Sequence, residues 1–287
     1  MPWIFAAIAA PGIWALTNIF DQDLVTRRSK DPLFLVGITG FFAGIPALIA
    51  IATGRLVLLS FPDLTLAITV GGIGLFAYVP YYLALKYDDA ADVILFWNLT
   101  PVFVAILAFF IAHERLSVLQ TVAVGVIVLS SFVAESAPNR KGSSRYAYAL
   151  MLGASVLVAL EVSLGKLLYD RVDFVSGFSW VSLTMFSCAL VLLGVRRRTS
   201  SRKNSWKDLV MYVLSELCDT GATSLKAFAV SFGSASIVQA LEGIQSLFVM
   251  GLESVGFAGK RPRRTPQQKI RIVVASLLAV IGLLLIV

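Results

Sequence analysis

Long apolar segments alternate with short polar segments along the whole chain. The apolar segments are about 20 residues long, which is the length of an α-helix that crosses the hydrocarbon core of a bilayer. Unpaired backbone amides are costly in lipid, so such segments are predicted to be helices. The pattern predicts ten spans, at about 2–20, 33–53, 64–86, 91–112, 116–134, 146–168, 173–195, 208–230, 234–256 and 269–287.

Composition supports an all-α integral membrane protein. Hydrophobic residues make up 58% of the 287 residues and charged residues only 14%, whereas soluble domains have about 25% charged residues. The single histidine, His113, and the two cysteines, Cys188 and Cys218, give no metal-ligand spacing and no disulfide framework. We therefore expect no metal, no cofactor and no enzymatic activity.

The basic residues predict the orientation in the membrane. The odd-numbered loops carry 19 of the 24 lysines and arginines. The positive-inside rule places these loops in the cytoplasm and both termini outside, in a multi-pass protein of the plasma or inner membrane. Each basic cluster adjoins a span and lacks interleaved aromatic residues, so we read the clusters as orienting charge rather than as a nucleic-acid site.

The two halves of the sequence look related. Three separate places in the first half can be aligned with the second half at nearly the same offset, about 144 residues: Trp14–Thr17, Ala84–Ile94 and Phe103–Val104. A repeat with five spans begins and ends on opposite sides of the membrane. The second copy would therefore be inverted relative to the first. We expect one half at 1–137 and the other at 145–287, with a substrate site at their interface.

Polar residues inside the spans mark the candidate cavity, because charged residues within a bilayer usually face a cavity or a partner. They recur at helical spacing, as in Glu216 and Asp219 of the eighth span. The predicted cavity residues are Asn18, Asp21, Tyr81, Trp97 and Asn98 on one wall and Glu161, Lys166, Glu216, Asp219, Gln239, Glu242 and Gln245 on the other.

The acids in the second half outnumber their potential basic partners. Pairing of Glu161 with Lys166, or of Asp219 with Lys226, would hold helices together, but two further acids, Glu216 and Glu242, would stay uncompensated. Bound protons or a cation would balance them. This surplus motivates the hypothesis that transport is coupled to protons or to another cation.

Several motifs resemble the EamA-type domain of the drug/metabolite transporter superfamily. They are Ala84-Leu85 after a tyrosine-rich span, Pro101-Val102-Phe103 in the next span, His113-Glu114-Arg115-Leu116-Ser117, and an apolar span with Gly125. The glycine that usually precedes Glu-Arg-Leu in the family is replaced here by Ala112-His113. In the second half, Gln239–Gln245 is similar to a motif of some members, while a basic loop at 259–271 replaces Glu-Arg-Leu.

The resemblance implies ten helices in two inverted five-helix repeats around a cavity lined by spans one, three, four, six, eight and nine. It also implies transport of a small metabolite or drug-like solute by alternating access. Better-known members keep both termini in the cytoplasm, which is the reverse of the orientation that the basic residues predict for this chain.

Three alternatives stay open at this point. They are a lipid-linked carrier or flippase, a membrane-embedded lipid-modifying enzyme that uses the buried acids, and a structural membrane subunit. The lack of a phosphate-binding loop argues against ATP as the energy source. The expected partners are the lipid bilayer, a small-molecule substrate and a coupling proton or cation, with no nucleic acid; a homodimer is an option.

Overall fold

The computed structural model describes residues 2–23, 31–87, 97, 99–135, 145–195, 206–254 and 265–286. Within these ranges the chain is helical and contains no β-strand. The helices are α1 (Pro2–Asp23), α2 (Pro32–Phe42), α3 (Ile45–Ala52), α4 (Phe61–Ala84), α5 (Thr100–Ile111), α6 (Val118–Glu135), α7 (Arg145–Tyr169), α8 (Phe174–Val195), α9 (Trp206–Phe232), α10 (Ala235–Glu242), α11 (Gln245–Ser254) and α12 (Pro266–Ile286).

Several helices have the length and composition of membrane spans. Four segments are long and apolar enough to cross a bilayer: Pro32–Ala52, Phe61–Ala84, Arg145–Tyr169 and Phe174–Val195. Four shorter apolar segments lie in α5, α6, α10–α11 and α12. Large apolar side chains such as Leu58, Phe110 and Leu284 are exposed, as expected where lipid covers the surface. The chain is a multi-pass membrane protein.

The second span is predicted as one helix, but the structure divides it into α2 and α3. The break lies at Ala43-Gly44, where the backbone N–H of Gly44 donates to the carbonyl of Phe41 at 3.3 Å. Pro46 follows in the first turn of α3. Proline has no N–H, so the regular hydrogen bond to the carbonyl of Phe42 cannot form. The interruption therefore has a local cause in the sequence.

The ninth span is also interrupted, between Glu242 and Gln245. The N–H groups of Gly243 and Ile244 donate to the carbonyls of Ala240 and Leu241, at 3.0 and 3.1 Å. These bonds join residues three apart and tighten the end of α10 into a 3₁₀-like turn. Interrupted helices in transporters commonly lie beside a solute site, and here the interruption places Glu242 at a helix end.

The interior is formed where helices of the first half pack against helices of the second. α1 packs along α9, α4 along α7, and α6 along α12. Small residues allow close approach of the helices: a Cβ added to Gly71 of α4 would lie 2.5 Å from the carbonyl oxygen of Val181 in α8. Charged side chains, including Glu216, Lys226 and Glu242, are buried in this interior.

Candidate functional site

A cavity of about 130 Å³ lies between helices of both halves. Its lining comes from α1 and α4 in the first half and from α7, α8, α9 and α10–α11 in the second, with Trp97 between them. The polar and aromatic lining residues are Trp14, Thr17, Asn18, Asp21, Tyr78, Tyr81, Trp97, Glu161, Tyr169, Phe178, Asp219, Thr223, Lys226, Glu242 and Gln245. Polar groups therefore converge inside a bundle whose outer surface is apolar.

One face of α9 supplies four of the polar positions around the cavity. Glu216, Asp219, Thr223 and Lys226 are spaced by three or four residues, so they lie in one row along the helix. Seven residues of α-helix rise about 10.5 Å, which separates Asp219 from Lys226 along the row. The two ends of the row have different surroundings.

The acidic end consists of the carboxyls of Asp21, Glu216 and Asp219. The indole N–H of Trp14 donates to Oδ1 of Asp219 at 2.8 Å, and the hydroxyl of Tyr78 donates to Oδ2 at 3.2 Å. The Ser215 hydroxyl donates to Oδ1 of Asp21 at 3.3 Å. Neutral donors therefore hold these carboxyls in place, and no described basic residue lies within ion-pair distance of them.

Glu216 lies behind the cavity wall and is buried. The hydroxyl of Thr39 in α2 donates to its Oε1 at 3.1 Å. The oxygens of Thr39 and Tyr82 are also 3.1 Å apart. Because the Thr39 proton is used on Glu216, the Tyr82 hydroxyl donates to Thr39. This chain of bonds links α4, α2 and α9 next to the cavity.

The ion-pair end consists of Lys226, Glu242 and Gln239. The Lys226 Nζ lies 2.8 Å from Oε1 of Glu242. The side-chain amide of Gln239 donates to the other carboxylate oxygen of Glu242. The same ammonium lies 5.6 Å from the ring centroid of Trp14, within cation–π range. The pair joins α9 to the end of α10, at the interruption of the ninth span.

Glu161 of α7 is the fourth carboxyl that lines the cavity. It lies within electrostatic range of Lys226 and Glu242, although no described basic side chain forms an ion pair with it. Gly74 of α4 makes room for it, because a Cβ at that position would lie 3.3 Å from Cγ of Glu161. The close packing of α4 on α7 thus depends on a glycine beside the acid.

The charges that line the cavity are unbalanced. The described lining residues include four carboxyls, Asp21, Glu161, Asp219 and Glu242, but one amine, Lys226. No group of three or more His, Cys, Asp or Glu side chains that could hold a metal ion occurs among the residues that the structure describes. The arrangement suits a ligand or ion that carries positive charge better than one that carries negative charge.

The model of the EamA-like transporter family matches residues 1–135. Residues 1–135, just under half of the chain, are therefore similar to this family. The resemblance inferred from the sequence motifs is confirmed, and the family match indicates a membrane transporter of the drug/metabolite transporter superfamily. No curated protein matches the sequence. A solved structure titled "Crystal structure of protein" has a similar fold, with a TM-score of 0.72 and 15% identity over 98% of this chain and 93% of that chain.

The structure brings most of the predicted cavity residues together. Eight of them line the cavity: Asn18, Asp21, Tyr81, Trp97, Glu161, Asp219, Glu242 and Gln245. Glu216 and Gln239 lie directly behind the lining, where each is bonded to a neighbour. Asn98 lies outside the described residues.

Lys166 is placed away from the cavity. Its Nζ pairs with Asp170, four residues later and just past the end of α7, at 2.8 Å, and Lys166 is absent from the cavity lining. The pairing of Glu161 with Lys166 is therefore not formed, and Lys226 pairs with Glu242 rather than with Asp219. The two differences have different causes. Lys166 meets Asp170 because the two residues are four apart in sequence, whereas Lys226 meets Glu242 only because α9 packs against α10.

Several lining residues were missing from the predicted set, notably Tyr78, Tyr169, Thr223 and Lys226. Helical spacing could have identified Thr223, which lies four residues after Asp219 and three before Lys226 on the same face. Tyr78 lies three residues before Tyr81 on α4. Tyr169, at the end of α7, gave no such signal, because it comes to the cavity through helix packing.

The Glu-Arg-Leu motif joins the two halves at the N-terminal end of α10. The Glu114 carboxylate accepts hydrogen bonds from the Ser234 hydroxyl and from the N–H groups of Ala235 at 2.9 Å and Ser236 at 3.3 Å. A carboxylate at a helix N-terminus pairs with N–H groups that have no partner within the helix. Glu114 therefore caps the helix whose other end carries Glu242.

Proposed function

We propose that this protein is a secondary transporter that moves a small solute across the membrane by alternating access. The observation that carries the proposal is the cavity itself: charged and aromatic side chains from both halves surround about 130 Å³ inside a bundle of apolar helices. Transporters of inverted-repeat architecture bind their solutes at such an interface. Asp21, Glu161, Asp219 and Glu242 are the proposed binding residues.

The proposal includes ten crossings in two inverted halves, 1–137 and 145–287. Helices at a spacing of about 145 residues correspond: α1 with α7, α4 with α9, and α5 with α11. The packing also corresponds, because α4 packs along α7 as α9 packs along α1. The family match ends at residue 135, close to the proposed boundary.

Two further helices, α1 and α9, are also long enough to cross. α1 has 22 residues and α9 has 27 residues, which correspond to about 33 and 40 Å of helix. Their charged residues Asp21, Asp219 and Lys226 line the cavity rather than face lipid. We propose both as spans, since a cavity-lining helix needs only one apolar face.

The proposed orientation has the odd-numbered loops in the cytoplasm of a cell bounded by a plasma or inner membrane, with both termini outside. The supporting observation is the bias of the basic residues, most of which lie outside the described residues, at 27–30, 140–141, 196–203 and 260–264. A reporter that is active only outside the cytoplasm should work when fused after Val287. Activity of a cytoplasmic reporter at the same position would overturn the orientation.

Coupling to protons or another cation is part of the proposal. The three carboxyls Asp21, Glu161 and Asp219 line the cavity without a described ion-pair partner, so binding of a positive ion there would reduce repulsion among them. Transport by purified protein in liposomes should respond to an imposed pH or Na⁺ gradient. Transport that ignores both gradients would contradict coupling and leave the transporter assignment intact.

Members of the EamA family are transporters rather than enzymes, and we propose that this chain likewise has no catalytic activity.

A test of alternating access uses Thr223→Cys in a background with Cys188→Ser and Cys218→Ser. A membrane-impermeant thiol reagent should label residue 223 from either side of the membrane in separate samples. Labelling from one side only, under all solute conditions, would contradict alternating access.

A further inference from the structure

We infer that the solute of this cavity is a small organic cation: an amine or ammonium group attached to an apolar part of about the size of a benzene ring. The inference rests on the proposed function, because it names the solute class for the same cavity. It is carried by three features of the lining: its charge, the state of its only described amine, and its aromatic side chains.

The charge of the lining favours a cation. Asp21, Glu161 and Asp219 have no described basic residue within ion-pair distance, and Asp219 is instead held by Trp14 and Tyr78. A charge that is removed from water needs a partner of the opposite sign. An ammonium group on the solute supplies that partner, whereas a carboxylate or phosphate on the solute would add to the repulsion.

The only amine among the described lining residues is already paired. Lys226 lies 2.8 Å from Glu242 and 5.6 Å from the centre of the Trp14 ring. To bind the carboxylate of an amino acid, Lys226 would have to leave a buried ion pair. The lining therefore disfavours zwitterions and anions, and the class narrows to solutes whose charged groups are all positive.

Aromatic side chains complete a site for a cation. Trp14, Tyr78, Tyr81, Trp97 and Tyr169 line the cavity, and the rings of Tyr81 and Trp97 meet edge to face with their centroids 5.5 Å apart. Ring faces attract a cation within about 6 Å. The Lys226 ammonium already makes such a cation–π contact with Trp14. An ammonium group of the solute could make the same kind of contact with another ring of the lining.

The cavity volume limits the size of the apolar part. The cavity holds about 130 Å³, which is similar to the roughly 150 Å³ apolar cavity that admits benzene. Val158, Val162 and Val230 supply apolar lining. A single ring with a short aminoalkyl group fits this space, whereas a steroid or a nucleotide does not.

Benzylamine, benzyl alcohol and benzoate are suitable probes, because they share one ring and differ in charge at neutral pH. Binding to purified full-length protein is measured by isothermal titration calorimetry. Benzylamine should bind, benzyl alcohol should bind at least about tenfold more weakly, and benzoate should show no binding. Loss of one charge-assisted contact in Asp219→Asn should weaken benzylamine binding by about tenfold to a hundredfold.

Asp170→Asn is the matched control, because Asp170 pairs with Lys166 away from the cavity. This variant should bind benzylamine as the unaltered protein does. Glu161→Gln provides an independent test if Asp219→Asn does not fold, and it should also weaken benzylamine binding. The inference is overturned if benzoate or benzyl alcohol binds as tightly as benzylamine, if benzylamine does not bind, or if both cavity variants bind it normally.

A transport assay separates this inference from the proposed function. Radiolabelled benzylamine should accumulate in proteoliposomes, and unlabelled benzylamine should compete with it. Binding without any transport would overturn the proposed function and leave the cavity as a cation site. Transport of benzoate that depends on Asp219 would overturn the solute class and leave the transporter assignment in place.

Discussion

The two ends of the charged row on α9 hold their charges in different ways. At the acidic end, Asp219 receives hydrogen bonds from Trp14 and Tyr78, which position the carboxyl without cancelling its charge. At the ion-pair end, Lys226 and Glu242 lie 2.8 Å apart and cancel each other. The same helix therefore carries a carboxyl without an ion pair and an amine within an ion pair, about 10.5 Å apart along its axis.

This difference indicates different roles for the two ends. The ion-pair end connects α9 to α10, and Glu114 holds the other end of α10, so the pair contributes to how the halves pack. The acidic end has uncompensated charge next to empty volume, so it can gain energy from a ligand. We therefore expect variants of the ion-pair end to affect stability first and variants of the acidic end to affect binding first.

The largest effect is expected for Lys226→Met. This change leaves the buried carboxylate of Glu242 without its ion-pair partner, and breaking a buried pair in this way costs about 3–5 kcal/mol. The free energy of unfolding, measured by chemical denaturation in mixed micelles, should fall by that amount. The double variant Lys226→Met/Glu242→Gln should regain most of the loss, because residue 242 then no longer carries an unpaired charge.

Lys166→Met is the matched control for that variant. Lys166 also pairs with an acid at 2.8 Å, but the side chain of Asp170 is 45% exposed. Partly exposed pairs contribute about 1 kcal/mol or less. If Lys166→Met and Lys226→Met destabilise the protein equally, the ion-pair end has no special structural role.

Asp219→Asn should affect transport more than stability, which is the reverse of what we expect for Lys226→Met. Its stability should change by less than about 1 kcal/mol, because asparagine still accepts the Trp14 hydrogen bond and one charge of the acidic end is removed. Solute transport in proteoliposomes, in contrast, should fall at least about tenfold. A variant that unfolds as readily as Lys226→Met would remove the distinction between the two ends.

The all-helical character of the described residues and eight of the residues that line the cavity could be predicted from the sequence, and the reason is physical. Apolar length and helical spacing are local properties, so the helices and the shared face of Glu216 and Asp219 follow from the order of residues. The partner of Lys226 does not, because Glu242 lies on another helix and meets Lys226 only through packing. The interruption near Gly44 was also missed, although Pro46 is a local signal for it.

A smaller effect is expected for Tyr78→Phe. This variant removes the hydroxyl that donates to Oδ2 of Asp219 at 3.2 Å and keeps the ring. The loss of one hydrogen bond should cost about 1 kcal/mol of stability. Because the remaining donor, Trp14, still holds Asp219, benzylamine binding should weaken less than in Asp219→Asn. Tyr146→Phe, at an exposed site, is the control and should change neither property.

The smallest effect is expected for His113→Gly, which should raise the stability. His113 precedes Glu114, the residue that caps α10. His113 has a φ of 52°, a left-handed conformation that costs a residue with a side chain about 1–2 kcal/mol and that glycine adopts freely. Part of this gain is lost to the greater freedom of glycine in the unfolded chain, so stability should rise by about 1 kcal/mol at most.

Ala112→Gly is the control, because its φ of −95° gives glycine no advantage. Benzylamine binding should stay unchanged in His113→Gly, since Glu114 supports the ion-pair end rather than the acidic end; weaker binding would mean that the two ends are coupled through α10.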